Sequence, residues 1–117
     1  MKLINEMFSI VSKGDRVRIK LHPEHVIYAA HFPGQPITPG VCVVQMIGEI
    51  LQEKEGRMME LDTITNLKFI QPLSPVETPE VDVVFDSISY DGQGRCKVRG
   101  TVANEDTIFT KFSVIYR

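Results

Sequence analysis

The sequence predicts an α+β domain in which an antiparallel sheet wraps around one buried helix. Two observations support this fold class: one long helical segment that is apolar on almost every side, and four strand-like segments that follow it, separated by short turns. The chain has 117 residues, which is enough for one ordinary domain and too few for two. We therefore expect a single domain over residues 1–117.

The first predicted element is a strand over residues 15–21, where apolar and basic residues alternate as in a strand that buries one face. Residues 22–39 contain three histidines and four prolines. This composition predicts a loop, with a short extended piece over residues 26–29.

The central helix is predicted from near residue 38 to about residue 55. Thr38 can cap its start, and Pro39 suits the first helical position because its missing N–H would be unpaired there anyway. Gly56 is the expected stop. The polar residues of this otherwise apolar helix form a narrow stripe that consists of Gln45, Glu49 and Gln52.

The remaining sequence predicts four strands, over residues 63–70, 80–90, 95–103 and 107–116. The second and third strands are joined by Asp91-Gly92-Gln93-Gly94, which is a hairpin turn signal. A meander of this kind favours antiparallel pairing.

Composition excludes several classes of function. Hydrophobic residues make up 43% and charged residues 24%, a balance typical of a soluble globular protein. The net charge of −2 provides no basic field for nucleic acid, and the apolar runs are too short for a membrane span or a signal peptide. Cys42 and Cys96 lack metal or redox spacing, so we expect two reduced, buried thiols in a cytoplasmic protein.

The densest motif directly precedes the helix and reads His31-Phe32-Pro33-Gly34-x-Pro36-x-x-Pro39-Gly40-Val41. It resembles the signature of the 3-hydroxyacyl-acyl carrier protein dehydratases, which have the hotdog fold. A second stretch, Lys68-Phe69-Ile70-Gln71-Pro72-Leu73-x-Pro75, resembles the strand that closes the acyl site of that family.

The resemblance implies a hotdog domain that forms a homodimer or a higher oligomer, with an acyl tunnel at the dimer interface. It implies cytoplasmic fatty-acyl or polyketide-type chemistry on a thioester of acyl carrier protein or coenzyme A. It also implies that neither a metal nor an organic cofactor is used. The expected reaction is the elimination of water from a 3-hydroxyacyl thioester to give a trans-2-enoyl thioester.

The resemblance also assigns roles to residues. His31 is expected to remove the C2 proton, because imidazole titrates near neutral pH and can act as a base there. The N–H of Gly40 is expected to hold the thioester oxygen at the start of the helix. The expected substrate-binding residues are Phe32, Gly34, Pro39, Val41 and Phe69.

Position 45 departs from the family pattern, in which a carboxylic acid protonates the leaving hydroxyl. Here the residue is Gln45, whose amide can donate a hydrogen bond but cannot deliver a proton. Glu49 lies on the same helix face, about 6 Å further along the axis. Either His31 returns the proton while Gln45 orients the hydroxyl or a water, or Glu49 is the alternative acid, or dehydration is lost.

If dehydration is lost, the alternatives are a hotdog acyl thioesterase and a protein that binds acyl thioesters without turnover. Glu49 has an equally ordinary interpretation as a polar residue near the helix end that is paired with a neighbour such as Lys54. His22 and His25 have a spacing that could suggest metal, but no further ligands complete a site, so none is predicted. Two basic rows could receive an acidic carrier protein or could simply be solvated, and they consist of Arg16, Arg18 and Lys20, and of Arg95, Lys97 and Arg99.

Overall fold

A computed structural model describes residues 2–31 and 34–117, and within these residues the chain forms one six-stranded antiparallel sheet and two helices. The helices are α1 (Val26–Ala30) and α2 (Gly40–Glu55). The strands are β1 (Phe8–Ser12), β2 (Arg16–Leu21), β3 (Leu61–Phe69), β4 (Glu80–Tyr90), β5 (Cys96–Asn104) and β6 (Thr107–Tyr116). Their spatial order is β1-β2-β4-β5-β6-β3. The α+β prediction is confirmed.

The core lies between α2 and the inner face of the sheet. Alternation along β2, β5 and most of β6 directs every second side chain to this face, and side chains from most sides of α2 pack against it. The core residues of α2 are Cys42, Val43, Met46, Ile47, Ile50 and Leu51. Both cysteines are buried and free, as predicted.

The predicted end of α2 is confirmed, whereas the predicted start is wrong. Gly56 ends the helix in the left-handed conformation, with φ of 68°, and donates its N–H to Gln52. At the start, Pro39 itself is the N-cap and no side chain caps the helix. The expected cap, Thr38, instead places its hydroxyl 2.9 Å from the hydroxyl of Tyr28.

The extended piece expected at residues 26–29 is wrong, because Val26–Ala30 form the short helix α1. The His25 ring caps this helix by accepting the N–H of Ile27 at 3.2 Å. Histidine is not among the usual N-cap residues, so the sequence carried no capping signal here.

The N-terminal strand β1 was not predicted. It pairs with β2, and Ile10 lies opposite Ile19. The segment before it turns back at Asn5, which has a φ of 65°, and buries Leu3 and Met7 in the core. This N-terminal turn lies close to α2, where it contacts the polar stripe described below.

The strand β3 lies at one edge of the sheet and pairs only with β6 within the described residues. Its side chains are exposed on both faces apart from the half-buried Leu67. Large apolar side chains are among them: Leu61, Ile64 and Phe69 are 42–52% exposed. An edge strand of nine residues with apolar side chains can pair with another strand.

Candidate active site

An apolar cleft of about 400 Å³ opens at the start of α2. It lies between the first turn of the helix and the segment that follows β3. Its walls are formed by Ile37, Thr38, Pro39, Gly40, Val43, Phe69, Ile70, Gln71, Pro72, Leu73 and Thr110. Pro39, Gly40 and Phe69, three of the residues expected at the site, are therefore brought together.

The first turn of α2 presents two backbone donors that no described residue accepts. The N–H groups of Cys42 and Val43 both donate to the Pro39 carbonyl, at 3.0 and 3.1 Å. For the N–H groups of Gly40 and Val41, the described part of the chain offers no acceptor. Open donors at a helix N-terminus attract an oxygen that carries negative charge.

Gly40 allows the Phe69 ring to approach the helix closely. A Cβ atom at position 40 would lie 2.7 Å from Cζ and 2.9 Å from Cε2 of the Phe69 ring. Phe69 is 52% exposed, so its ring is at the surface of the cleft and not in the core. The ring therefore covers the first turn of the helix from outside.

His31 is the residue that follows α1, at the surface. Its backbone N–H donates to the Ile27 carbonyl at 3.0 Å. Gly34, with a φ of 85°, makes a turn that favours glycine. Phe32, another expected substrate-binding residue, lies outside the described residues.

The loop that carries His31 is closed by a buried contact that the sequence did not predict. The Tyr28 and Thr38 hydroxyls are 2.9 Å apart and both residues are buried. Burial raises the pKa of Tyr28 to about 12. The Thr38 N–H also donates to the Leu73 carbonyl at 2.8 Å. Tyr28 and Thr38 are ten positions apart in the sequence, and no local sequence pattern predicts a contact over that separation.

Glu49 is a buried acceptor for the N-terminal turn. Its carboxylate accepts the N–H of Leu3 at 3.0 and 2.8 Å and the N–H of Ile4 at 2.7 Å. The side-chain amide of Gln45 donates to Glu49 Oε2 at 2.7 Å. These contacts suit an ionised carboxylate, which only accepts hydrogen bonds.

Gln45 is oriented by this contact. Its Nε2 faces Glu49, because the reverse orientation would place two acceptors together. Its Oε1 therefore lies on the other side of the amide. Val41 and Gln45 line a second, smaller cavity on the same face of α2.

Glu49 is paired with a neighbour on the helix, as its ordinary interpretation expects, but this neighbour is Gln45 and not Lys54. Lys54 donates to the Gly14 carbonyl at 2.8 Å and lies 3.5 Å from Asp15. His22 bonds Ser9 Oγ at 2.6 Å and the Glu6 carbonyl at 3.0 Å. Over the described residues, no group of three or more metal-binding side chains is placed to hold an ion.

The two basic rows differ in their partners. Arg16 and Arg18 bind the Asp82 carboxylate at 3.0 and 2.7 Å. Burial opposes the ionisation of Asp82, but the hydrogen bonds from the two arginines outweigh it and lower the pKa of Asp82.

In the second row, Arg95 pairs with Asp91 at 2.8 Å. Lys97 and Arg99, in contrast, make no ion pair with any described residue. They line a polar groove on the outer face of the sheet together with Thr65, Ser87, Ser89 and Ser113.

The family is established by comparison with known proteins. The sequence model of the ApeI-like family, described as ApeI dehydratase, matches residues 11–106. The architecture places the protein in the hotdog class, and the chain belongs to the ApeI-like dehydratase family.

Two relatives are 3-hydroxyacyl-[acyl-carrier-protein] dehydratases named FabZ. The one from Herpetosiphon aurantiacus is 31% identical over 88 residues, covering 67% of this chain and 62% of the relative. The one from Acetivibrio thermocellus is 32% identical over 85 residues, covering 67% of this chain and 58% of the relative. The chain thus spans about three fifths of the length of these relatives.

A solved structure has the same fold: the dehydratase heterocomplex ApeI:P from Xenorhabdus doucetiae. The TM-score is 0.58 at 22% identity, and the match covers 87% of this chain and 88% of that chain. None of the helices in the described residues is long and apolar enough to cross a membrane.

Proposed function

We propose that this protein eliminates water from a 3-hydroxyacyl thioester to give a trans-2-enoyl thioester. The observation that carries the proposal is the first turn of α2, nine residues after His31. There the Gly40 N–H has no acceptor among the described residues, and Gly40 lines an apolar cleft. An apolar cleft suits an acyl chain, and an open backbone donor suits the thioester oxygen. Membership of the ApeI-like dehydratase family supports the same reaction.

In the proposed reaction, His31 takes the proton from C2 of the substrate. The electrons of the C2–H bond move towards the thioester, and the Gly40 N–H stabilises the negative charge on the thioester oxygen. The C2–C3 double bond then forms as the C3–O bond breaks. The protonated His31 returns its proton to the departing hydroxyl, so the products are the enoyl thioester and water.

Gln45 orients the leaving hydroxyl in this proposal. Its Nε2 donates to Glu49, and we assign to its Oε1 the role of accepting the hydrogen of the substrate hydroxyl. A lone pair of the hydroxyl oxygen then faces His31. The proposal gives Glu49 no role as an acid, because both of its oxygens already accept hydrogen bonds.

We further propose that two copies pair through β3 and share the site, as the resemblance implies. The support is the exposed edge strand β3 with Leu61 and Ile64. Leu61 lines one cavity together with Val41 of α2, which is 74% exposed. A second copy would cover these side chains and continue the sheet. Higher assembly of such dimers belongs to the same proposal.

The proposed substrate carrier is acyl carrier protein, in the cytoplasm, with coenzyme A as the alternative carrier. Lys97 and Arg99 support an acidic partner, since no described carboxylate neutralises them. Arg16 and Arg18 are less suited to this role because Asp82 already binds them. No cofactor enters the proposed reaction.

The test is incubation of the protein with 3-hydroxyacyl thioesters of several chain lengths, followed by detection of enoyl product and free thiol. Enoyl product without free thiol is expected. His31→Asn should lower the rate by at least about 100-fold. His25→Asn is the matched control, because asparagine retains the cap of α1, and it should leave the rate unchanged.

Free thiol without enoyl product would replace the proposal with a thioesterase. Binding without either product would indicate an acyl-binding protein. Full activity of His31→Asn would contradict the assignment of the base. Size measurement by light scattering should give a dimer, and Ile64→Lys, at the edge of β3, should shift it towards the monomer.

A further inference from the structure

The polar groove on the outer face of the sheet is separate from the candidate active site. Its volume is about 380 Å³, and it shares no lining residue with the cleft at the start of α2. Its polar lining consists of Thr65, Ser87, Ser89, Lys97, Arg99 and Ser113. No carboxylate is among the described residues that line it. Ammonium, guanidinium and hydroxyl groups all donate hydrogen bonds, so the groove suits a ligand rich in acceptor oxygens.

The strand register places each cation of the groove beside hydroxyl groups. The strand β5 lies between β4 and β6, and its Arg99 is opposite Ser87 of β4 and Ser113 of β6. Lys97, two residues earlier on β5, is on the same face and is opposite Ser89 of β4. Directly opposite residues have Cβ atoms about 5 Å apart, so these side chains can contact one small ligand together.

Lys97 and Arg99 have no counter-charge, because neither makes an ion pair with any described residue. Their positions are about 7 Å apart along β5, so the two positive charges repel each other. Asp86, on the neighbouring strand β4, lies at a register shift and pairs with neither cation in the described part of the chain. The other basic row differs, since Asp82 binds both of its arginines. A bound anion would remove the repulsion between Lys97 and Arg99.

The hydroxyl groups of the groove are able to donate to a ligand. The Ser87 and Ser89 hydroxyls make no hydrogen bond to a described residue. Thr65 donates its hydroxyl to the carbonyl and to the hydroxyl oxygen of Ser113, both at 2.8 Å. This contact leaves the hydrogen of the Ser113 hydroxyl unused. A ligand in the groove therefore meets hydroxyl donors as well as the two cations.

We infer that this groove binds a small phosphate ester, with Arg99 and Lys97 on the phosphate oxygens. A phosphate monoester carries a charge of about −2 and three acceptor oxygens, which match the two cations and the hydroxyl donors beside them. A carboxylate has fewer oxygens and a lower charge, so it would leave part of these donors unused. The size of the groove is that of a small-molecule site. The site is additional to the proposed reaction and does not depend on it.

The test uses glycerol 3-phosphate and glycerol, which differ by the phosphate group alone. Each is titrated into isotopically labelled protein at constant ionic strength and followed by NMR of the backbone amides. Glycerol 3-phosphate should shift the signals of residues 87–89, 97–99 and 113–115 in a saturable manner, whereas glycerol should leave them in place. Acetate, which is a carboxylate of lower charge, should bind at least about tenfold more weakly than glycerol 3-phosphate.

Two variants distinguish a built site from the attraction of charge alone. Arg99→Lys keeps the charge but loses the planar fork of the guanidinium, and it should weaken glycerol 3-phosphate binding about fivefold. Ser89→Ala changes no charge and should weaken it about threefold. Lys20→Ala is the matched control, because Lys20 is an exposed cation of β2 outside the groove. It should leave the affinity unchanged.

Absence of saturable shifts in the groove would overturn the inference, and so would equal affinity for glycerol 3-phosphate and acetate. Unchanged affinity in both Arg99→Lys and Ser89→Ala would also overturn it. Shifts caused by an acyl carrier protein but not by glycerol 3-phosphate would assign the two cations to the proposed carrier instead. Enoyl formation is measured separately, and its absence would contradict the proposed reaction without affecting the binding of phosphate.

Discussion

The first and third turns of α2 differ in whether their hydrogen-bonding groups have partners among the described residues. At the first turn, the Gly40 and Val41 N–H groups have no acceptor among the described residues, and Gly40 lines an apolar cleft. At the third turn, the Glu49 carboxylate accepts hydrogen bonds from two backbone N–H groups and from the side-chain amide of Gln45. Open groups are available for a substrate, whereas satisfied groups hold the structure in place.

This difference explains why a carboxylate in the middle of the helix is a poor candidate for the missing acid. Glu49 would have to release the N-terminal turn before it could donate a proton. Buried donors without acceptors are unfavourable, so this release would compete with the reaction. Chemistry is therefore expected at the first turn and positioning at the third.

The largest expected effect is a loss of stability in Glu49→Ala. The substitution leaves the N–H groups of Leu3 and Ile4 and the Gln45 amide without their acceptor. We expect the free energy of unfolding to fall by about 3 kcal/mol, measured by urea denaturation. Glu53→Ala, on an exposed position of the same helix, should change it by less than about 0.5 kcal/mol.

The same two variants also test whether Glu49 has a structural role at the third turn of α2 or takes part in the chemistry. If Glu49→Ala retains wild-type stability but loses enoyl formation, then Glu49 belongs to the chemistry. Its hydrogen bonds to the N-terminal turn would in that case be incidental.

Gly40→Ala should show the reverse behaviour, with a loss of activity and little loss of stability. The new Cβ atom would lie 2.7 Å from Phe69 Cζ, but the half-exposed ring can move aside. Its movement reshapes the cleft, and a displacement of about 1 Å can lower a rate by about 100-fold. Enoyl formation and thermal unfolding are the two measurements.

Two further variants sharpen this prediction. Gly40→Ala combined with Phe69→Leu should recover part of the activity, since the smaller side chain makes room for the new methyl group. Gly92→Ala is the control, because no atom lies within 4 Å of a Cβ atom built at that position. It should change neither the rate of enoyl formation nor the temperature of thermal unfolding. Wild-type activity of Gly40→Ala would show that Phe69 does not shape the cleft.

Local sequence signals predicted most of the fold. The strands β4 and β6 have the predicted bounds, and Gly56 ends α2, because alternation and left-handed glycines act over a few residues. The short helix α1 was missed because its cap is the ring of His25. Its stability comes from an interaction that residue preferences do not include.

The candidate site was only partly predictable, because its contacts join distant residues. The motif placed Gly40 at the helix start correctly, but nothing local showed that Phe69 packs against it. The partners of Glu49 lie 45 and 46 positions earlier in the chain, and only the fold brings them together. Likewise, only the register of β2 against β4 places Arg18 opposite Asp82.

The smallest expected effect concerns the contact that leads into the first turn. Tyr28→Phe removes the hydrogen bond to the buried Thr38 hydroxyl and should lower the free energy of unfolding by about 1 kcal/mol. Enoyl formation should fall less than in Gly40→Ala, because the loop that carries His31 loosens while the cleft keeps its shape. Thr38→Val should have a similar effect, and the double variant should show less than the sum of the two changes.

The pH dependence of this contact has a definite sign. Burial raises the pKa of Tyr28 to about 12, above its ordinary value of about 10, so the folded state favours the protonated phenol. The resulting stabilisation is complete below pH ~10 and is lost as the pH rises towards about 12. The free energy of unfolding, measured between pH ~10 and about 12, should therefore fall more steeply with pH for the wild type than for Tyr28→Phe. Equal slopes of the free energy of unfolding against pH would mean that Tyr28 is solvated. The segment that leads into the first turn of α2 would then be held by the hydrogen bond from the Thr38 N–H to the Leu73 carbonyl, without a contribution from Tyr28.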